Sequence, residues 1–229
     1  MTSNVPFRIF PLGDSALTVE FGDTISAEIN DIAISLAEHL EADRFPGFIE
    51  SVPAFASTTI YYNLVEIRKH FGGFPTAFDA VSALVYRTLD ALKIGQADIR
   101  RRIEIPVDFS PSAALDLDEL AGQKGLSRDE VIAIFTSREY RVYMLGFLPG
   151  FSYMGEVDER IASPRKESPR TEVPAGSIGI AGTQTGIYSL RSPGGWQIIG
   201  RTPLDMFDVR HDPPAFLRAG DIVSFVATK

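Results

Sequence analysis

Between Gly146 and Pro203 the chain carries ten glycines and six prolines, with apolar runs of only a few residues between them. That texture rules out long helices, because an interior glycine costs about 1 kcal/mol and a proline about 3 kcal/mol relative to alanine. It fits short strands joined by tight turns, as in a small barrel or sandwich. GDIVSFVA, residues 220–227, reads as a closing strand after a Gly-Asp turn.

The first hundred residues have a different rhythm. Residues 7–10 and 15–21 read as short strands, with PLGDS supplying the turn. Ile25, Ile29, Ile32, Leu36 and Leu40 then fall at helical steps of three and four. Residues 48–53 and 57–62 form a second strand pair. A second helix follows Pro75, with Phe78, Val81, Val85, Leu89 and Leu92 on one side. Two strands, a helix, two strands and a helix make a compact α+β unit, with two helices on an antiparallel sheet. The expected organisation is therefore α+β: an N-terminal domain over 1–98 and a β-rich domain over 99–229. The polar stretch KIGQADIRRR, residues 93–102, is a loop or linker between them.

RRIEIPVDF, from Arg101, alternates as a strand. Two short helices are expected next. One ends at Gly125, and the other begins at Ser127 with Glu130 at capping-box spacing. YRVYMLGF, residues 140–147, is a further strand.

Composition removes several chemistries. The chain has no cysteine, so disulfides, thiolate metal sites and a cysteine nucleophile are excluded. The N-terminus lacks the basic-then-apolar pattern of a signal peptide, and no run of about 18 apolar residues exists to span a membrane. The expected location is the cytoplasm, with no membrane contact. The net charge of −8 argues against nucleic acid as a partner. His39, His70 and His211 are scattered, without zinc-site spacing, so no metal is expected. PAGSIGIAGTQTG matches neither a phosphate-binding P-loop nor a dinucleotide fingerprint, since Gly176, Gly179 and Gly182 are spaced by three.

The charge is uneven. Residues 163–203 hold five basic and two acidic side chains, the one net-positive segment. It opens with SPRKESPR, where Pro164 and Pro169 stiffen the backbone before Arg165 and Arg170. Arginine offers a planar fork suited to carboxylate or phosphate. Two readings stand side by side: the arginines contact a small anion, or they bind acidic groups of this chain or of a partner. Trp196 and Tyr188 either line a groove or fill the barrel.

Several stretches together resemble the bacterial 5-oxoprolinase B-subunit family. They are GFLPGFSYM (146–154), SPRKESPR (163–170), VPAGS (173–177), AGTQTGIY (181–188), SPGGW (192–196) and GRTP (200–203), with PLGDSALTVEFG and IPV upstream. The family has also been labelled allophanate hydrolase subunit 1 and includes the kinase inhibitor KipI. The resemblance covers almost the whole chain. It implies a small α+β N-terminal domain followed by a cyclophilin-like β-barrel. It also implies work with two partners, the barrel-fold C subunit and the separate A subunit of 5-oxoprolinase, opening 5-oxoproline to L-glutamate with ATP hydrolysis. Relatives imply two alternatives, a module that inhibits a sensor histidine kinase and a component of carboxyltransferase type. The chain departs from the family at Asp108, Phe135 and Ala56, where cysteine, histidine and arginine are frequent.

Lactam opening needs cations for transferring phosphate and donors for a developing oxyanion. Arg170, Gln184 and His211 are the expected catalytic residues. Arg165, Arg170, Gly176, Gly182, Thr183, Arg201 and Trp196 are the expected substrate or anion contacts, with backbone N–H groups near Gly176 and Gly182 as donors. Arg170→Ala is expected to lower turnover more than Lys166→Ala.

Overall fold

The computed structural model describes residues 6–92 and 100–228. The chain divides into two compact units, residues 1–99 and 100–229. Most of the linker expected over 93–102 lies outside the described residues.

In the first unit, β1 (Arg8–Pro11), β2 (Ala16–Glu20), β3 (Phe48–Pro53) and β4 (Ser57–Tyr62) form an antiparallel sheet of order β1-β2-β4-β3. β4 shows why: Thr58, Ile60 and Tyr62 are buried in alternation with less buried neighbours. Helix α1 (Ala27–Ala42) packs on β3 and β4, and α3 (Ala77–Ala91) packs on α1 and β2. Leu17, Val19, Leu36, Leu40, Ile60, Val81 and Val85 meet in one core. A third helix, α2 (Leu64–His70), was not expected from periodicity. It buries only Ile67 and is started by Asn63, whose side chain accepts from two backbone N–H groups.

Thr76 and Asp79 form a reciprocal capping box at the start of α3, each side chain accepting from the other residue's backbone N–H at 3.0 Å. Thr76→Ala is expected to cost about 1 kcal/mol of first-unit stability. Chemical denaturation followed by far-UV circular dichroism checks this.

The second unit opens with β5 (Arg102–Val107), followed by α4 (Leu117–Lys124) and α5 (Arg128–Thr136). Gly125 ends α4 in the left-handed conformation, and Ser127 with Glu130 starts α5 as a capping box. Strands β6 (Glu139–Leu145), β7 (Ser152–Gly155), β8 (Arg170–Val173), β9 (Ser177–Ala181), β10 (Gln184–Ile187), β11 (Ser192–Gly194), β12 (Gln197–Arg201) and β13 (Ile222–Ala227) follow. Seven make one sheet of order β12-β9-β10-β7-β6-β13-β5, and β8 pairs with β11 in a separate ribbon. β13 runs parallel to β5 and antiparallel to β6.

The seven-stranded sheet curls until its edges meet. Asp108, after β5, and Arg201, ending β12, exchange backbone hydrogen bonds of 2.8 and 2.9 Å. This closure selects the barrel from the two forms, barrel or sandwich, that the glycine-rich texture left open, and agrees with the barrel that the family resemblance implies. α4 packs against β12 and α5 against β13. Phe135 is fully buried and stacked 4.8 Å from Phe225. The Tyr140 hydroxyl donates to the Phe135 carbonyl, and burial pushes its ionisation up. Position 135 is therefore packed core, out of reach of any substrate. Among the described residues no helix is long and apolar enough to cross a membrane.

Candidate functional site

The loop 163–170 carries three cations, and the barrel unit treats them differently. Asp116 sits at the N-cap of α4 but makes no capping bond. Its carboxylate is almost wholly buried and turned toward the loop. Arg170 donates to it through both terminal nitrogens, Nη1 to Oδ2 at 2.7 Å and Nη2 to Oδ1 at 2.5 Å. Lys166 Nζ donates to Oδ1 at 2.9 Å. The backbone N–H of Ile198 donates to Oδ2 at 2.7 Å, and the Asp116 N–H donates back to the Ile198 carbonyl at 2.8 Å. Burial alone would raise the Asp116 carboxyl. The bonds from Arg170, Lys166 and Ile198 together outweigh it and hold the group below the usual carboxylate range.

Arg170, expected as a catalytic anion contact, thus has its fork filled by a carboxylate of its own chain. Lys166, expected to matter less for turnover, shares the same partner and also donates to Glu119 at 3.3 Å. Substituting either residue changes the same buried ion cluster, so unequal turnover between the two mutants does not by itself report an anion site.

Arg165 goes elsewhere. It is exposed, and its guanidinium carbon lies 5.8 Å from the centre of the Trp196 ring. Among the described residues no carboxylate comes within ion-pair distance of it. Arg165 stands at a cavity of about 230 Å³, walled by Phe147, Phe151, Tyr153, Tyr188 and Trp196 and edged by Pro169, Pro193, Gly194 and Gly195. The rings meet edge to face: Phe151 lies 5.2 Å from Tyr188 and 5.5 Å from Trp196, both near perpendicular. Tyr188 and Trp196 therefore pack in a core cluster and also wall this cavity. Phe147 holds a left-handed φ of 66° with its side chain 61% exposed. A phenylalanine in that region costs about 1–2 kcal/mol, and such strain gathers at ligand sites.

The other expected residues fall apart from this cavity. Gly176 and Arg201 line a second one, of about 390 Å³, with Asp108, Ser189 and Thr202. Arg201 Nε donates to the Ala175 carbonyl at 2.8 Å. Neither glycine offers its N–H to a ligand: Gly176 donates to the Tyr188 carbonyl and Gly182 to the Ser163 carbonyl, each at 2.7 Å. Thr183 lines a third, polar cavity with Arg138, Asp158 and Arg160. Gln184 is half-buried at the start of β10, opposite Ala181 and Gly155. His211 is exposed in the loop before β13, its N–H donating to the Asp208 carbonyl. Of the expected set, Arg165 meets Trp196 and Gly176 shares a cavity with Arg201. Gln184 and His211 line neither of those two cavities. Asp116 was missed because LDLDEL reads as a solvated helix start. Its one sequence signal is a carboxylate at an N-cap position.

The family of the carboxyltransferase domain, subdomain C and D, matches residues 7–217. The 5-oxoprolinase B subunit of Bacillus subtilis is 48% identical over 97% of this chain and 93% of its own length. The chain belongs to the 5-oxoprolinase B-subunit family. Its Escherichia coli O157:H7 relative is 37% identical over 97% of this chain and 96% of its own length. Among solved structures, that of TTHA0988 superposes with a TM-score of 0.80 at 36% identity over 93% of this chain. The chain spans 40% of that larger protein. The barrel signature from GFLPG to GRTP, which forms the aromatic cavity and supplies the cations that meet Asp116, lies within the residues matched by the family.

Proposed function

We propose that the chain is the B subunit of an ATP-dependent 5-oxoprolinase, acting with the A and C subunits in the cytoplasm to open 5-oxo-L-proline to L-glutamate. In the net hydrolysis the ring C–N bond breaks and water's oxygen joins the carbonyl carbon. The hydrogens end on the freed amine and the new carboxyl. The observation that carries this reading is the 48% identity to a 5-oxoprolinase B subunit along nearly the full length of both chains.

The aromatic cavity and the glycine run do not fit a nucleotide. No helix follows residue 136 among the described residues, so the glycine run opens no helix N-terminus toward phosphate. The aromatic cavity falls below the roughly 300–1,000 Å³ of sites for drug-sized ligands. In this reading ATP belongs to the partner subunits, and this chain serves substrate binding and assembly.

Co-expression with the A and C subunits, followed by an assay for ATP-dependent glutamate release from 5-oxoproline, tests the reading. Turnover is expected with all three chains and lost when this one is omitted. Three folded chains without turnover would sink it. Turnover that required a biotin-bearing partner would select carboxyl transfer, the reaction that the family's description names. Inhibition of a sensor kinase without any turnover would select the regulatory alternative.

A further inference from the structure

We infer that the aromatic cavity under Arg165 binds a small cyclic carboxylate, its ring against Phe151, Tyr188 and Trp196 and its carboxylate on the Arg165 guanidinium. This deepens the 5-oxoprolinase reading and rests on it for the choice of ring.

Three independent observations converge on this class of ligand. The first is charge. Asp116 and Glu119 together pair Lys166 and Arg170, while Arg165, from the same proline-stiffened loop, has no carboxylate partner among the described residues and stands at the cavity. A cation held against an aromatic face beside an apolar space is positioned to receive an anion. The second is size and lining. About 230 Å³ with aromatic walls suits one small ring and is too small to enclose a nucleotide. The third is upkeep of the opening. A Cβ at Gly194 would come within 2.3 Å of the Tyr188 hydroxyl, so a side chain there displaces a wall residue. Phe147, which also lines the cavity, is kept in a strained backbone conformation and is 61% exposed.

Trp196 is the chain's single tryptophan, so its fluorescence reports this cavity directly. The full chain is titrated with 5-oxo-L-proline, with its neutral amide, and with cyclopentanecarboxylate. A saturable fluorescence change is expected with 5-oxo-L-proline. Arg165→Gln is expected to weaken it by about tenfold or more, the loss of one charge-assisted contact. Arg165→Lys is expected to retain part of the affinity, and the neutral amide to bind no better than 5-oxo-L-proline binds to Arg165→Gln. Arg165 is exposed, so both variants are expected to fold, and unchanged circular dichroism verifies it. The inference is overturned if no saturable change occurs with either carboxylate, or if Arg165→Gln binds as wild type does. The two readings fail separately. Binding of cyclopentanecarboxylate but not 5-oxo-L-proline keeps the cyclic-carboxylate cavity and removes the substrate. Turnover by the assembled chains without binding at Trp196 removes the cavity and keeps the function.

Discussion

Asp116→Ala is expected to destabilise the barrel unit by about 3–5 kcal/mol, the range for removing one partner of a buried ion pair. Arg170 and the Ile198 N–H lose their side-chain acceptor together, and Lys166 is left with the exposed Glu119 alone, at 3.3 Å. Lys166 and Arg170 remain about a quarter exposed, which lets water screen them and places the loss toward the lower end of that range. Denaturant titration followed by Trp196 fluorescence measures it, since that ring belongs to the same unit. Arg170→Ala is expected to cost less, because Lys166 still serves the carboxylate. A cost equal to that of Asp116→Ala would mean that Lys166 contributes nothing.

The pH dependence has a definite sign. The Asp116 carboxyl is held below its ordinary value of about 3.9 by its donors. Its contribution is therefore complete above that value and is lost as pH falls below it. The stability gap between wild type and Asp116→Asn is expected to be constant from neutrality down to about pH 4 and to narrow below. A gap that stayed constant into stronger acid would contradict a charged Asp116 as the hub.

This hub marks where sequence reading stops. β4, with its alternating burial, and α1 and α3, with their helical spacing, were legible because each pattern lies within about fifteen residues. The α5 capping box was legible for the same reason. Helix α2 was not, because one buried residue leaves no period to detect. The glycine-rich texture announced a barrel or a sandwich, but the Asp108–Arg201 seam that decides for the barrel joins residues far apart in the chain. Arg165 and Arg170 look equivalent in SPRKESPR. Their separation into a cavity cation and a structural cation depends on Asp116, 54 residues upstream of Arg170, and on Trp196. Local periodicity carries no information at that range.

Gly176→Ala is the other substitution expected to have a large effect, and it separates two reasons for a glycine. Gly176 has a φ of +80°, and a Cβ there would lie 2.3 Å from the Thr202 carbonyl oxygen. The backbone cannot yield, because Gly176 donates to the Tyr188 carbonyl while its own carbonyl accepts from Thr202 N–H at 2.9 Å. Left-handed strain of about 1–2 kcal/mol adds to an overpacking cost of about 1–3 kcal/mol. The expected loss is about 2–5 kcal/mol, the sum of those two ranges, read from Trp196 fluorescence in denaturant. Gly182 supplies the comparison, with a φ of +62° and nothing within 4 Å of its added Cβ. Gly182→Ala is expected to cost only the strain. Thr202 follows Arg201, whose backbone closes the barrel against Asp108, so the clash at 176 bears on the seam and on the cavity that Arg201 lines. Equal losses at the two positions would show that Gly176 is needed for its backbone angle alone and that the close approach to Thr202 relaxes without cost.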